Sequence, residues 1–403
     1  KWAHERTGLF FVRKKNGKLR LILDARRTNR WFRPPPRVDL LTAEGLGRIE
    51  VELPDDQDFS SLYCGTADVQ DAFHRMGIPM WLSRWFGLPR VRARDVGLTC
   101  CEDGPLAPDD WVTPMPSCLP MGFAWSLFFA QDIDEEAASQ VLPRAELLRD
   151  RGQPLVLSLR GAGSTATRHY IYVDNIGVFG ADGRIVASKL EDVISAFESR
   201  GLAVHEVSVS DEGVEALGVL LDGRRRHARL TAKRFWRVRG AILALTNRRR
   251  VTGQQVEAIL GHATFCGLLR RETLTVFTTV YPFIRTHYDQ PVALWPSAAD
   301  ELRTFAGLMV LLVSDWEADW NPMSGAADAS EWGYGLCSRW VGADEAAAVG
   351  RVRERDRYLD PDHVAARAAA LGDGHAAASV PAEPVDMWDA CGTSGLSADR
   401  TFA

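Results

Sequence analysis

Two aspartates have surroundings suited to chemistry. Asp174 stands in Tyr172-Val173-Asp174-Asn175, between two apolar, β-branched runs within residues 170–180. That pattern predicts a β-hairpin with a tight polar turn at Asp174-Asn175. A carboxylate at a hairpin tip is placed by two paired strands, and can be held near a metal ion or a substrate phosphate. The bland alternative is turn chemistry alone, since Asp and Asn both tolerate left-handed backbone. Asp68 closes a second such run. Residues 63–69 read as a strand and 70–76 as a short helical turn, so Asp68 lies at a strand end and Asp71 one turn later. Strand-end carboxylates often bind metal, and free N–H groups at a helix start can hold a phosphate. On these residues alone, helix N-capping by Asp68 is the simpler role.

The elements around them carry charge. Residues 13–37 hold ten Lys or Arg and one acid, Asp24; residues 224–250 hold eleven and no acid. The net charge is −5, but local field, not the total, attracts phosphate. A solvated face would look the same. Aromatic residues within both runs (Trp31, Phe32; Phe235, Trp236) favour a nucleic-acid channel. Residues 10–29 read as a β-hairpin turning at Asn16-Gly17, with Lys14, Lys15, Lys18 and Arg20 crowding its tip and one face. Residues 33–37, Arg-Pro-Pro-Pro-Arg, must be extended.

Further along, residues 42–50 suit a short helix and 80–118 an irregular insertion. Leu119-Pro120-Met121-Gly122-Phe123 leads into a helix over 124–138 with Gln131, Asp132, Glu135 and Glu136 towards its polar face. Pro and Gly before a helix let backbone approach a ligand. Residues 144–168 are a polar connection. Helices follow over 185–199, 233–246, from 252 and over 300–313, with short strands at 204–207 and 216–221. Residues 326–330 and 333–336 look like two strands around a turn. From about Gly342 the patterning is weak and little stable structure is expected.

An apolar fraction of 46% with 25% charge fits a globular chain of two or three domains, and no apolar run spans a bilayer. No secretory signal is visible, and the start at Lys1 suggests a fragment. Seven cysteines without metal spacing point to free thiols inside the cell, in cytoplasm or nucleus.

The ordered set resembles the fingers and palm of reverse transcriptases, above all those of retrotransposons. It comprises a basic hairpin with Arg20, Asp24, Arg26 and Asn29; Asp68-Val69-Gln70-Asp71-Ala72-Phe73; Leu119-Pro120-Met121-Gly122-Phe123 with Ser126 and Gln131; and Tyr172-Val173-Asp174-Asn175. Any one motif is weak; four in order over residues 9–285 are specific. The resemblance implies an α+β right-hand polymerase. Residues 1–228 would be fingers and palm with an antiparallel sheet, and 229–290 a helical thumb. Residues 291–345 would be a connection and a partial ribonuclease H-like α/β segment, and 346–403 a poorly structured tail.

It also implies roles. Asp68, Asp174 and the carbonyl of Val69 match the holders of two Mg²⁺ ions, with Mn²⁺ as a substitute, for adding dNTPs to a DNA primer on an RNA template. Lys14 and Arg20 match the grip on the triphosphate, Asp71 and Ala72 a turn whose N–H groups contact it, and Met121 and Gly122 the wall beside the new base pair. Phe73 matches the screen against a ribose 2′-OH, which disfavours RNA synthesis. The basic helix over 233–250 resembles a thumb gripping the RNA–DNA hybrid. Asp328 matches a ribonuclease H metal ligand, but the short tail offers no convincing match for that site's remaining acids, so the activity is expected to be lost. Asn175 departs from the family, where most members carry a second Asp. It keeps the catalytic hairpin's geometry but removes a charge. This leaves open a slowed enzyme or a dead copy that only binds RNA or RNA–DNA hybrid.

Overall fold

The computed structural model describes residues 3–13, 17–52, 61–101, 104–150, 156–158, 165–330 and 333–351. At its centre lies a four-stranded antiparallel sheet in the order Thr167–Tyr172, Asn175–Gly180, Tyr63–Val69, Val204–Ser210. The β-branched runs around Asp174 form its outer hairpin. In a strand, successive side chains face opposite ways. Ala67, Val69, Ile171, Ile176 and Val178 therefore share one face. They pack beneath the helices Ser126–Ala138 and Gly183–Glu198, against Ala130, Ala137, Val186, Leu190 and Phe197. Cys64, Tyr170 and Phe179 point the other way, into a larger core. Gly177 stands opposite Tyr170 in the register, and a Cβ there would lie 1.9 Å from the Tyr170 ring. Only glycine lets that ring lie across the strand.

The larger core joins a second antiparallel sheet (Val214–Ala216, Val219–Asp222, His227–Leu230, Val313–Asp315) to four helices. These are Ala232–Thr246, Gly253–Gly267, Val280–Thr286 and Pro296–Leu308. Thr252 and Gln255 form a reciprocal capping box at the second helix. Glu301, on the fourth, caps the third: its carboxylate accepts the backbone N–H groups of Thr278, Thr279 and Val280 at 2.6–3.1 Å. Trp316 is buried, and its indole N–H donates to the Leu46 carbonyl at 3.0 Å, fixing the short helix Ala43–Gly47 to the second sheet. The basic N-terminal hairpin, Gly8–Arg13 with Leu19–Asp24, projects with Phe10, Phe11 and Leu19 exposed.

Three expectations fail. Residues 80–118 are not irregular throughout. They hold the helical turn Met80–Ser83 and two paired ladders, Val91–Arg92 with Trp111–Val112 and Cys100–Cys101 with Gly104–Pro105. The short ladders were hidden because two-residue strands have no readable period; the Arg92 guanidinium stacks 4.4 Å above Trp111. The helix expected to reach residue 313 stops at Leu308, because Val313 is taken up as an edge strand beside Arg229. Residues beyond Gly342 are not all weakly structured. Ala343–Gly350 is a helix with Asp344 and Glu345 in its first turn, where the helix dipole favours acids. Its end is fastened: Arg351 donates to Glu50 at 2.7 Å, and Gly350 abuts Trp320. Residues 326–330 and 333–336 do belong to paired strands, Met323–Ser330 and Gly333–Trp340, which form an exposed ribbon. Among the described residues, no helix is long and apolar enough to cross a membrane.

The Glu301 cap predicts a measurable cost. Burial raises its pKa, but the hydrogen bonds from Thr279 and its neighbours outweigh this, and the net pKa is lowered. Glu301→Ala should cost roughly 2 kcal/mol, the worth of hydrogen bonds to a charged group. A carboxylate lowered in the fold stabilises above its unfolded value and loses that effect as pH falls through the folded one. Urea titrations should therefore show wild type and variant converging below about pH 4. A constant gap down to pH 2 would refute the cap's charge.

Candidate active site

Asp68 is the penultimate residue of the central Tyr63–Val69 strand. In register it lies opposite Asn175 on one side and His205 on the other. Because Ala67 and Val69 face the helices, Asp68 faces away from them, half-buried on the open side. The capping role fails. The Ala72–Arg75 helical turn begins after Asp71, which is itself left-handed (φ 51°), and Asp68 stays in the strand.

The hairpin tip also differs from expectation. The loop is Val173-Asp174, while Asn175 already pairs with Tyr172 as the first residue of the return strand. Val173 has φ 53° and Asp174 does not share the positive φ, the pattern of a type II′ turn. A β-branched residue in that region is strained, and strain of this kind persists only where neighbours over-determine it. Here they do. The Val173 N–H donates to Oε1 of Gln131 at 2.8 Å, Nε2 of Gln131 donates to the Ile171 carbonyl at 2.9 Å, and the Val69 N–H donates to the Asp174 carbonyl at 2.7 Å. Gln131 is thus not on a polar face: it is 3% exposed and holds the turn from below. Its place beside Ala130 and Ala137, on the apolar stripe of the helix, was the available sign.

The electrostatics follow from this packing. Burial, and then the charge of Asp174, raise the Asp68 pKa to about 6; His205, with Nε2 at 3.3 Å, acts against the rise. The Nδ2–H of Asn175 donates to Oδ1 of Asp174 at 2.9 Å. An amide oxygen would repel the carboxylate, so the nitrogen must face it. Beneath lies an acid that sequence reading passed over. Asp134 is 0% exposed, and among the described residues neither carboxylate oxygen has a hydrogen-bond partner. Burial first, and Asp174 second, push its pKa well above the ordinary carboxylate range. The free acid is its stable form there.

The remaining predicted residues are placed as follows. Asp71 and Ala72 directly follow the Asp68 strand, with Ala72 buried. Phe73 is half-buried against the helix-covered core. Met121 and Gly122 lie in the loop before Ser126–Ala138. Gly122 has φ 112°, and a Cβ on it would come within 2.4 Å of the Leu23 carbonyl on the basic hairpin. Arg20 is exposed on that same hairpin strand. Lys14 lies outside the described residues. Asp328 sits on the exposed ribbon, apart from the central sheet, opposite Gly335. Among the described residues no three His, Cys, Asp or Glu side chains are grouped to hold a metal. A cation at Asp68 and Asp174 would have two carboxylates and need further oxygens from elsewhere. Hard, repelling carboxylate oxygens at adjacent strand ends suit Mg²⁺, which keeps waters and takes few protein ligands.

No family model and no curated protein matches this chain. Solved structures do. A foamy viral protease-reverse transcriptase (dRH) in complex with double-stranded DNA is 16% identical, with TM-score 0.52, over 82% of this chain and 51% of its own. The foamy viral protease-reverse transcriptase in complex with RNA/DNA hybrid is 15% identical, with TM-score 0.52, over 93% of this chain and 44% of its own. The same viral protein with double-stranded DNA gives 17% identity and TM-score 0.50 over 81% and 56%. This chain therefore spans about half the length of the solved chains it matches. At such identity the likeness is one of fold: mixed helix and sheet arranged as in a reverse transcriptase.

Asp134→Ala should stabilise the chain. It removes an unpaired buried acid and puts the best helix former inside a helix. The thermal midpoint should rise by a few degrees, at roughly 2–4 °C per kcal/mol for 150–250 residues. An acid raised in the fold keeps its proton while the unfolded chain loses its own, so wild type loses stability as pH rises above about 4. The gain from the substitution should therefore grow from pH 4 to 7 in calorimetric scans. A lowered midpoint at pH 7 would show that the carboxyl is paired after all.

Proposed function

We propose that this chain is an RNA-directed DNA polymerase of retroelement type, adding dNTPs to a primer 3′-OH on an RNA template. One observation carries the reading: Asp68 and the Val173-Asp174 turn meet at neighbouring strand ends, joined by the Val69–Asp174 backbone hydrogen bond, in a chain with a reverse-transcriptase-like fold. The central sheet would be the palm, the basic hairpin part of the fingers, and the helices from residue 232 the thumb.

Asp68, Asp174 and the Val69 carbonyl would hold Mg²⁺. When bound, a metal pair about 3.5–4 Å apart stabilises charge on the attacking and leaving oxygens of phosphoryl transfer. The chain's own residues do the rest. Asp68 must lose its proton before it can serve as a ligand. Gln131 fixes the strained turn, so the Asp174 carboxylate is positioned before substrate arrives. Asn175 donates to one oxygen of Asp174 and leaves the other for a ligand. Arg20, with Lys14, would attract the triphosphate, and the backbone at Asp71 and Ala72 would contact it. Phe73 would crowd a ribose 2′-OH. The foamy viral neighbours were captured with double-stranded DNA and with RNA/DNA hybrid. The same partners are proposed here, along the arginines of the Ala232–Thr246 helix. The ribbon carrying Asp328 is read as a partial ribonuclease H-like segment without activity. A second reading, binding of RNA or hybrid without catalysis, draws on Asn175, which takes up a carboxylate oxygen that a cation would otherwise use.

Primer extension on a primed RNA template with Mg²⁺ and dNTPs decides between them. Wild type should extend, and Asp174→Ala should fall by about 10²–10³-fold or more, the scale of one lost transition-state-stabilising group. Intact hybrid binding with no wild-type extension would leave the second reading standing. Phe73→Ala should gain rNTP incorporation; without such a gain, the steric screen is wrong. Cation affinity, read as Mn²⁺ binding, should rise between about pH 5 and 7 as Asp68 loses its proton. A flat profile across that window would contradict the assignment of Asp68 as a ligand.

A further inference from the structure

The loop that carries Met121 and Gly122 is not held by its own segment. The Nδ2–H of Asn29 donates to the Gly122 carbonyl at 3.0 Å, and Oδ1 of Asn29 accepts the Ala124 N–H at 2.9 Å. One side chain thus bridges the loop on both sides of Phe123, as a neighbouring strand's backbone would. This bridge needs a donor and an acceptor on the same side-chain end, which an amide has and a carboxylate lacks. Phe123 anchors the loop from below, with its ring edge-on to Phe32 and Phe86 at 5.1 and 5.0 Å. Gly122 itself rests on the Leu23 carbonyl, so close that no side chain would fit.

Both contacts lead back to one strand. Leu23 belongs to Leu19–Asp24, which carries Arg20. Asn29 sits in the Thr28–Trp31 turn just beyond it, where its backbone N–H donates to the Ala25 carbonyl at 2.8 Å. That turn is itself seated, since Thr28 Oγ1 donates to the Trp85 carbonyl at 2.9 Å. The strand with Arg20, the turn with Asn29 and the loop with Gly122 are therefore joined through short, direct contacts.

We propose that Asn29 is a positioning residue that ties the loop at Met121 and Gly122 to the strand bearing Arg20. The base end and the triphosphate end of an incoming nucleotide then meet one linked surface instead of two independent ones. The proposal rests on the polymerase reading above and adds a residue that need not touch the nucleotide.

Steady-state single-nucleotide addition on a primed RNA template is the test, with Asn29→Ala and Asn29→Asp. Both variants should raise KM for dNTP about tenfold, the worth of one or two hydrogen bonds, with a smaller change in kcat. Asn29→Asp keeps the acceptor for Ala124 but sets a carboxylate against the Gly122 carbonyl, so it should not rescue. The thermal midpoint should stay near wild type. Hydrogen exchange at the Ala124 amide reads the tie without catalysis and should quicken in Asn29→Ala. An unchanged KM in an active enzyme overturns this inference alone, as does unchanged exchange at Ala124. A fall in kcat together with the midpoint, at constant KM, reduces Asn29 to a structural role and also overturns it. A wild type that never extends a primer overturns the polymerase reading, and this inference with it.

Discussion

Two carboxylates at the ends of adjacent strands repel, and the fold must hold them there all the same. Neighbouring strands lie roughly 4.8 Å apart, and the register that sets Asn175 opposite Asp68 brings the Asp174 turn close beside it. Much of the central architecture answers to this repulsion. Period-two alternation sends Ala67 and Val69 into the core and leaves Asp68 on the open face. The Val173-Asp174 loop adopts a backbone shape that valine resists, and Gln131 and Val69 supply the hydrogen bonds that keep it. His205 and Asn175 place nitrogen beside each acid. Burial, with this repulsion second, also leaves a chemical mark: Asp68 holds its proton to a higher pH than a free carboxylate. A cation would find a site whose cost of assembly has already been met by packing.

The layers around the site divide the labour. Beneath the sheet, helices of small and branched residues press closely and fix the turn from one side. The basic hairpin and the Gly122 loop are joined to each other before either meets a ligand. The second sheet and its helices form a larger core against the other face of the central sheet, stitched by Trp316, the capping box and Glu301. Precision is thus supplied locally at the two acids, while bulk stability comes from elsewhere. Asp134 marks the boundary between these demands, as a polar group kept where an apolar one would pack better.

How much of this was legible in the sequence depended on range. Period-two runs and turn residues located the central strands, and capping signals located the helix at Thr252, because those signals are local. The two acids were visible as strand-end carboxylates, though their meeting needed the register. The exact loop was misread by one residue, since Asp-Asn is better turn chemistry than Val-Asp and tertiary hydrogen bonds overrode the preference. Gln131 was put on the wrong face, and Asp134 passed over, for a related reason. Both are polar residues in a helix whose polar face seemed obvious, and only the position of the hairpin reveals which side is buried. The short ladders of residues 80–118 had no period to read.

The Glu301 cap has a consequence for how the chain is made. The helix Val280–Thr286 leaves the ribosome ahead of Glu301, the acid that satisfies its first N–H groups. A seven-residue helix is too short to persist alone in water. The segment must wait, unformed or water-capped, until the Pro296–Leu308 helix has emerged and folds back. The two helices are therefore born as one event, and a pause in translation between them would leave an apolar stretch from Phe277 to Ile284 without its cover.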